Sequence, residues 1–74
     1  MENLVFKGDG NEETGNKIIK VLESLGGINS YKLSGCSMCY YYIYECNDTI
    51  YIDCVYEYPF GCILKDINEY TETI

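Results

Sequence analysis

The chain of 74 residues contains no arginine and no histidine, and these two absences remove several classes of function. Without arginine, the chain cannot make the bidentate guanidinium–phosphate contacts that many nucleotide and nucleic-acid sites use. Without histidine, it lacks the usual general base that activates a serine or cysteine nucleophile. We therefore expect a protein that is not an enzyme.

Positive charge of any kind is scarce, since five lysines stand against twelve carboxylates and give a net charge of −7. Binding to DNA, RNA or an anionic membrane depends on contacts between cations and phosphates, which this balance disfavours. No apolar stretch is long enough to span a bilayer. We expect no DNA, RNA or membrane partner, and we expect an acidic surface to favour basic protein surfaces instead.

We also expect neither a signal peptide nor a closed disulfide framework. Residues 1–7 contain no basic segment followed by a long apolar run. Five cysteines are an odd number, so disulfide pairing would leave one over. These features predict a cytoplasmic protein with free thiols and no cofactor. A chain of this length forms one small domain, residues 1–74, and self-association as a homo-oligomer is one way for it to gain stability.

One amphipathic helix is the clearest element that the sequence does contain. Asn11 or Thr14 can cap its start, and Gly26-Gly27 ends it. A short strand, Leu4 to Lys7, precedes the helix. The apolar positions of one helical face are Ile18, Val21, Leu22 and Leu25.

The stretch from Cys39 to Tyr58 contains seven of the nine tyrosines and predicts a β-hairpin that turns at Asn47-Asp48. A two-residue turn pairs Cys46 with Thr49, Tyr44 with Tyr51, Tyr42 with Asp53 and Tyr40 with Val55. One face, which we call the tyrosine face, then carries Tyr40, Tyr42, Tyr44 and Tyr51, with Asp53 and Glu57 beside them.

The opposite face of the hairpin is more apolar, so we expect the helix to pack there. It carries Cys39, Tyr41, Ile43, Ile50, Ile52, Cys54, Tyr56 and Tyr58. This leaves the four tyrosines of the tyrosine face without a partner inside the fold. A slip of one residue in the hairpin would exchange the two faces.

The remaining segments predict one or two further strands. A short strand through Tyr31 and Leu33 is possible, Tyr58-Pro59-Phe60-Gly61 predicts a β-turn, and Cys62 to Leu64 predicts a strand. The tail, residues 65–74, places Ile67, Tyr70 and Ile74 at helical spacing, whereas its threonines suit a strand, so both remain open. The fold class is α+β, with one amphipathic helix on a small, mainly antiparallel sheet of about three to five strands.

The glycine-rich segment from Gly10 to Lys17 comes close to a phosphate-binding P-loop and then departs from it. Asn16 separates the second glycine from the lysine, and Ile18 stands where a serine or threonine should hold magnesium. A capped helix start explains the segment better. A looser anion site that uses Lys17 and Lys20 with backbone donors is the alternative.

The cysteines suggest a metal site only in part. Cys36 and Cys39 form a C-x-x-C pair, but the other cysteines are spaced singly, and zinc ribbons need two such pairs. A structural zinc site of Cys36, Cys39, Cys54 and Cys62 is one possibility. The other is that the cysteines are small buried residues and loop thiols, with no metal.

The tyrosine face is the strongest candidate for a functional surface. Tyrosine buries a large area at a low cost in side-chain entropy and is enriched at binding sites. Cross-strand tyrosines also occur simply because they fit a pleated surface. Asp53 and Glu57 are too exposed in this arrangement to act as a catalytic acid pair.

The segment from Lys20 to Asn29, KVLESLGGIN, followed by Tyr40 to Ile43, YYYI, resembles a pattern in short uncharacterised proteins of bacteriophages and gut Bacteroidetes. The resemblance covers about the middle half of the chain, and it brings no catalytic or binding residues. It implies a small phage accessory protein in the host cytoplasm, of a kind that often counters host defence.

Three functional hypotheses follow. The first is a non-catalytic protein that binds and inhibits a host protein through its acidic, tyrosine-rich sheet. The second is an oligomeric sponge for a small cyclic nucleotide, with bases on the tyrosines and phosphates at Lys17 or Lys20. The third is a small structural zinc module.

Overall fold

The computed structural model describes residues 3–70, which form a four-stranded mixed sheet with one helix on one of its faces. The elements are β1 (Leu4–Lys7), α1 (Glu12–Ser24), β2 (Tyr40–Cys46), β3 (Thr49–Val55), β4 (Ile63–Lys65) and a short 3-10 helix (Ile67–Glu69). The strand order is β3-β2-β1-β4, with β4 parallel to β1 and the other pairs antiparallel. The predicted α+β class is confirmed. Within residues 3–70, no helix is long and apolar enough to cross a membrane.

The hairpin of β2 and β3 has the predicted register at every pair, from Cys46 with Thr49 to Tyr40 with Val55. Asn47 and Asp48 have positive φ angles of 52° and 65°. Two left-handed residues define a type I′ turn, whose twist matches that of the strands. The turn therefore fixes the register, and the register fixes which tyrosines share a face.

Helix α1 packs on the predicted face of the sheet. It begins after Asn11, whose side chain accepts a hydrogen bond from the N–H of Glu13. The core contains Ile18, Ile19, Val21 and Leu22 from the helix and Leu4, Phe6, Cys39, Tyr41, Ile52 and Ile67 around it. Leu25, predicted for the buried helical face, is exposed because the helix has ended by this residue.

The loop before β2 packs against the first turns of α1 through two glycines. A Cβ atom added at Gly15 would lie 1.9 Å from the carbonyl oxygen of Gly35, and one added at Gly35 would lie 2.9 Å from the carbonyl carbon of Gly15. Only glycine permits backbones to approach so closely. Gly15, the second glycine of the P-loop-like segment 10–17, is therefore a packing residue.

Several predicted details are wrong. Tyr56 and Tyr58 do not pack beneath the helix, because β3 ends at Val55 and the chain then leaves the sheet; Tyr56 is 82% exposed. No strand forms through Tyr31 and Leu33. Instead, Ile28 pairs with the outer edge of β3, donating its N–H to Ile50 and accepting from Ile52.

The segment after β3 also differs in detail. Its turn closes between Pro59 and Cys62, one residue later than predicted, which places Gly61 and its φ of 83° at the third position, where glycine is favoured. The predicted strand follows as β4. In the tail, Ile67 is buried in the 3-10 helix and Tyr70 packs edge-on against Phe6 at 5.3 Å, whereas Ile74 lies outside the described residues.

Candidate functional site: the tyrosine face

The tyrosine face is the sheet surface opposite α1, and it continues beyond the hairpin onto β1 and β4. Its central row runs across the four strands from Asp53 through Tyr42 and Val5 to Leu64. Val5 is completely buried, although it lies on the face away from the helix. The surrounding side chains therefore already form a packed layer over the middle of the sheet.

The tyrosines of this face contact one another, so the prediction that they have no partner in the fold is wrong. The ring centroids of Tyr44 and Tyr51 are 5.6 Å apart, and those of Tyr42 and Tyr44 are 6.2 Å apart. Tyr40 is met edge-on by Tyr58 at 5.4 Å. The four tyrosines that β2 and β3 place on this face are half-buried as a result.

Two tyrosines that the sequence did not assign to this face belong to it. The hydroxyl of Tyr31 lies 2.8 Å from that of Tyr44. The hydroxyl of Tyr58 donates to the carbonyl of Cys62 at 2.6 Å, which holds its ring beside Tyr40. Six of the nine tyrosines are thus gathered on one surface. Tyr31 carried no local signal for this, because it lies in an irregular loop that tertiary packing brings to the sheet.

Two phenols of this surface, those of Tyr44 and Tyr42, are held in their neutral form. The hydrogen bond with Tyr31, followed by burial, raises the pKa of Tyr44 to about 12. Burial and then the charge of Asp53 raise the pKa of Tyr42. At physiological pH, these hydroxyls are neutral groups that can donate and accept hydrogen bonds.

Asp53 stands among the tyrosines as the only carboxylate that the described strands place on this face. The other strand carboxylate, Glu45, is paired with Ile50 and so belongs to the opposite side. Asp53 is half-buried and its Oδ1 accepts from the N–H of Cys54 at 2.8 Å. Glu57, predicted beside it, is exposed and lies beyond the end of β3. The acidic character of the face itself therefore comes mainly from Asp53.

Lys7 is the cation at the margin of the tyrosine face, and the sequence did not identify it. Its Nζ donates to the carbonyl of Met38 at 2.8 Å and lies 4.4 Å from the centroid of the Tyr40 ring. The ammonium group is thus already engaged by the fold. The alternating pattern of β1 could have placed Lys7 on this face once β1 was paired with β2.

Lys17 and Lys20, the predicted anion-binding pair, lie on α1 and are exposed. Lys17 is 3.8 Å from Glu13, one helical turn away. Because α1 covers the opposite side of the sheet, neither lysine can meet a ligand that rests on the tyrosine face of the same chain. The two halves of the predicted nucleotide site are separated in one protomer.

The four cysteines proposed as zinc ligands do not form one cluster, although Cys39 and Cys54 contact each other. Cys36 is exposed and its thiol lies 3.7 Å from Glu12, whereas Cys39 is buried in the core. Burial and then contact with Cys39 raise the pKa of the Cys54 thiol to about 12, which opposes the thiolate that zinc needs. Among residues 3–70, no group of three or more histidine, cysteine or acidic side chains could hold a metal ion.

An open cleft of about 450 Å³ lies at the carboxyl ends of β1 and β4 and shares Lys7 and Leu64 with the border of the tyrosine face. Its lining consists of Lys7, Leu64, Lys65, Asp66, Ile67 and Glu69. Two ammonium groups and two carboxylates share this cleft, so it has no strong charge of either sign. None of the tyrosines contributes to it.

Comparison of the chain with protein-family models, curated proteins and solved structures gave no match.

Proposed function

We propose that this is a non-catalytic binding protein that recognises another protein through its tyrosine face. The observation that carries the proposal is the accumulation of six tyrosines on the sheet face that no helix within residues 3–70 covers. Their rings are fixed by mutual contact, so a partner would order few side chains on binding. Preorganised aromatic surfaces of this kind lose little entropy when they associate.

The charge of the chain supports a basic protein partner. A net charge of −7 accelerates encounter with a cationic surface and repels nucleic acids and anionic membranes. The edges of the sheet are less suited to recognition. The outer edge of β3 is partly occupied by Ile28, and β4 has three residues.

The biological setting comes from the resemblance to short phage and gut Bacteroidetes proteins. In that setting, the protein is a phage accessory that acts in the host cytoplasm and counters host defence by inhibiting a host protein. The absence of histidine agrees with inhibition by binding rather than by catalysis, as does the exposure of every carboxylate of residues 3–70 except the half-buried Asp53.

The test is capture of a partner from a gut Bacteroidetes lysate with the full chain as bait. Replacing Tyr42, Tyr44 and Tyr51 with serine should abolish capture while circular dichroism shows the same fold. Replacing Tyr56 and Phe60, two exposed aromatics outside the tyrosine face, with serine is the matched control and should leave capture unchanged. The proposal is wrong if the folded triple variant captures the same protein, or if the triple change unfolds the chain and so shows that these tyrosines are core residues.

The nucleotide sponge makes a different prediction. A nucleotide at 100 times its dissociation constant would add about 2.7 kcal/mol to the free energy of unfolding. Thermal unfolding with a panel of cyclic nucleotides measures this. A large shift would replace the protein-partner proposal with the sponge, and such a sponge would have to join lysines from different protomers.

A further inference from the structure

Asp53 is a charged group of the tyrosine face whose one hydrogen-bond donor found within residues 3–70 is the N–H of Cys54. Its position in β3 is directly opposite Tyr42, with Tyr51 two residues before it on the same face. Side chains at such neighbouring positions on one face of a sheet lie within reach of one another, so Tyr42 and Tyr51 flank the position of Asp53. The one ion pair within residues 3–70 joins Lys17 to Glu13. No lysine in that range therefore lies within ion-pair distance of Asp53.

We propose that Asp53 and the rings of Tyr42 and Tyr51 receive an arginine side chain from the partner protein. This inference rests on the proposed function and names the chemistry of the partner. A guanidinium group can make paired hydrogen bonds to a carboxylate while its flat face stacks on an aromatic ring. The hydroxyl oxygens of the surrounding tyrosines can accept hydrogen bonds from its remaining N–H donors.

The occupant is not a second copy of this chain. The sequence contains no arginine, so a self-associated face would have no guanidinium to offer. In a symmetric dimer whose two-fold axis passes near Asp53, the two Asp53 carboxylates would also approach each other, and like charges in a contact oppose association. Lys7, the cation at the margin of the face, is already held by Met38 and Tyr40.

An anionic ligand is disfavoured because it would meet a like charge on this face. A phosphate placed on the central rings would lie beside the carboxylate of Asp53, and Lys17 and Lys20 are on the other side of the sheet. The arrangement of one carboxylate among aromatic rings selects a cation with a flat, hydrogen-bonding head group. Arginine meets this description better than lysine, whose ammonium is a compact point charge.

The experiment is an NMR titration of the full chain, with ¹³C-labelled tyrosine rings, against the peptide acetyl-Gly-Arg-Gly-Arg-Gly-amide. The same peptide with citrulline in place of arginine keeps the shape and removes the charge. We expect the ring signals of Tyr42 and Tyr51 to move with the arginine peptide, and the signals of Tyr56 and Tyr70 to stay. Affinity should fall as salt is added.

Two variants locate the cation. Asp53→Asn keeps an oxygen that can accept from the Cys54 N–H and should weaken arginine-peptide binding roughly tenfold or more. Asp48→Asn removes the same charge from the hairpin tip and should change affinity less than twofold. The inference is overturned if the arginine and citrulline peptides give equal responses, or if the two variants bind the arginine peptide with equal affinity. It is also overturned if no ring signal shifts at a peptide concentration of about 10 mM, which is the weakest binding that the titration detects. Because the peptide assay needs no host protein, its failure leaves the lysate test of the proposed function intact.

Discussion

Replacing Gly15 with alanine should destabilise the protein, although the same change in an isolated helix would stabilise it. Alanine is favoured over glycine by about 1 kcal/mol in a helix interior. Here, however, the new Cβ would lie 1.9 Å from the carbonyl oxygen of Gly35, about 1.5 Å short of ordinary contact. The group that the new Cβ would meet is the backbone of Gly35, which cannot rotate away as a side chain can. Overpacking of this kind costs about 3 kcal/mol, so the net loss should be about 2 kcal/mol.

Urea denaturation followed by circular dichroism measures this loss. With a slope of about 1 kcal/mol per molar urea, the midpoint of Gly15→Ala should fall by about 2 M. The control is Asn16→Ala, at the exposed neighbouring position, which should raise the midpoint slightly through helix propensity alone. A midpoint for Gly15→Ala equal to or above that of the unmodified protein would show that the loop is not docked on the helix through this contact.

Three further predictions concern the turn, the thiols and the tyrosine face. Asp48→Gly should stabilise the protein by up to about 1 kcal/mol in urea unfolding, because Asp48 has a φ of 65°; a loss of stability would argue against the type I′ turn. Iodoacetamide mapping by mass spectrometry should modify the exposed Cys46 well before the buried Cys39, and equal rates would contradict the core packing. Tyr31→Phe should lower the pKa of Tyr44 from about 12 towards 10 in an NMR titration. Because the raised pKa favours the neutral phenol in the folded state, its contribution to stability is present below about pH 10 and is lost as the pH rises through about 12. The Tyr31→Phe variant should lose less stability over that range, and identical alkaline unfolding curves would rule out this coupling.

Local sequence patterns were sufficient for the hairpin and the helix. Asn47 and Asp48 can both adopt the left-handed conformation that a two-residue hairpin turn requires. The alternation of side chains between the two faces then follows from the pleat of the strands. The period of Ile18, Val21 and Leu22 likewise requires one buried helical face. In both cases the information lies within a few residues, so the chain itself carries it.

The candidate site was only partly predictable. The register placed Tyr40, Tyr42, Tyr44 and Tyr51 together with Asp53, and the structure has the same arrangement. Alternation along β3 predicts Glu57 on the same face, but β3 ends at Val55, and alternation holds only while the chain stays in the sheet. No local sequence pattern indicates that the strand ends there.

Composition and local pattern are enough to predict an acidic chain without arginine or histidine, one amphipathic helix, and a hairpin with tyrosines on one face. Long-range packing is what brings Tyr31 and Tyr58 to that face, places Lys7 over Tyr40, and leaves Lys17 and Lys20 on the far side of the sheet. The same is true of Gly15, whose role depends on Gly35 twenty residues away. The physical reason is that local periodicity specifies which side of an element a residue occupies, whereas contacts between distant segments depend on how loops close and on what the assembled core leaves exposed.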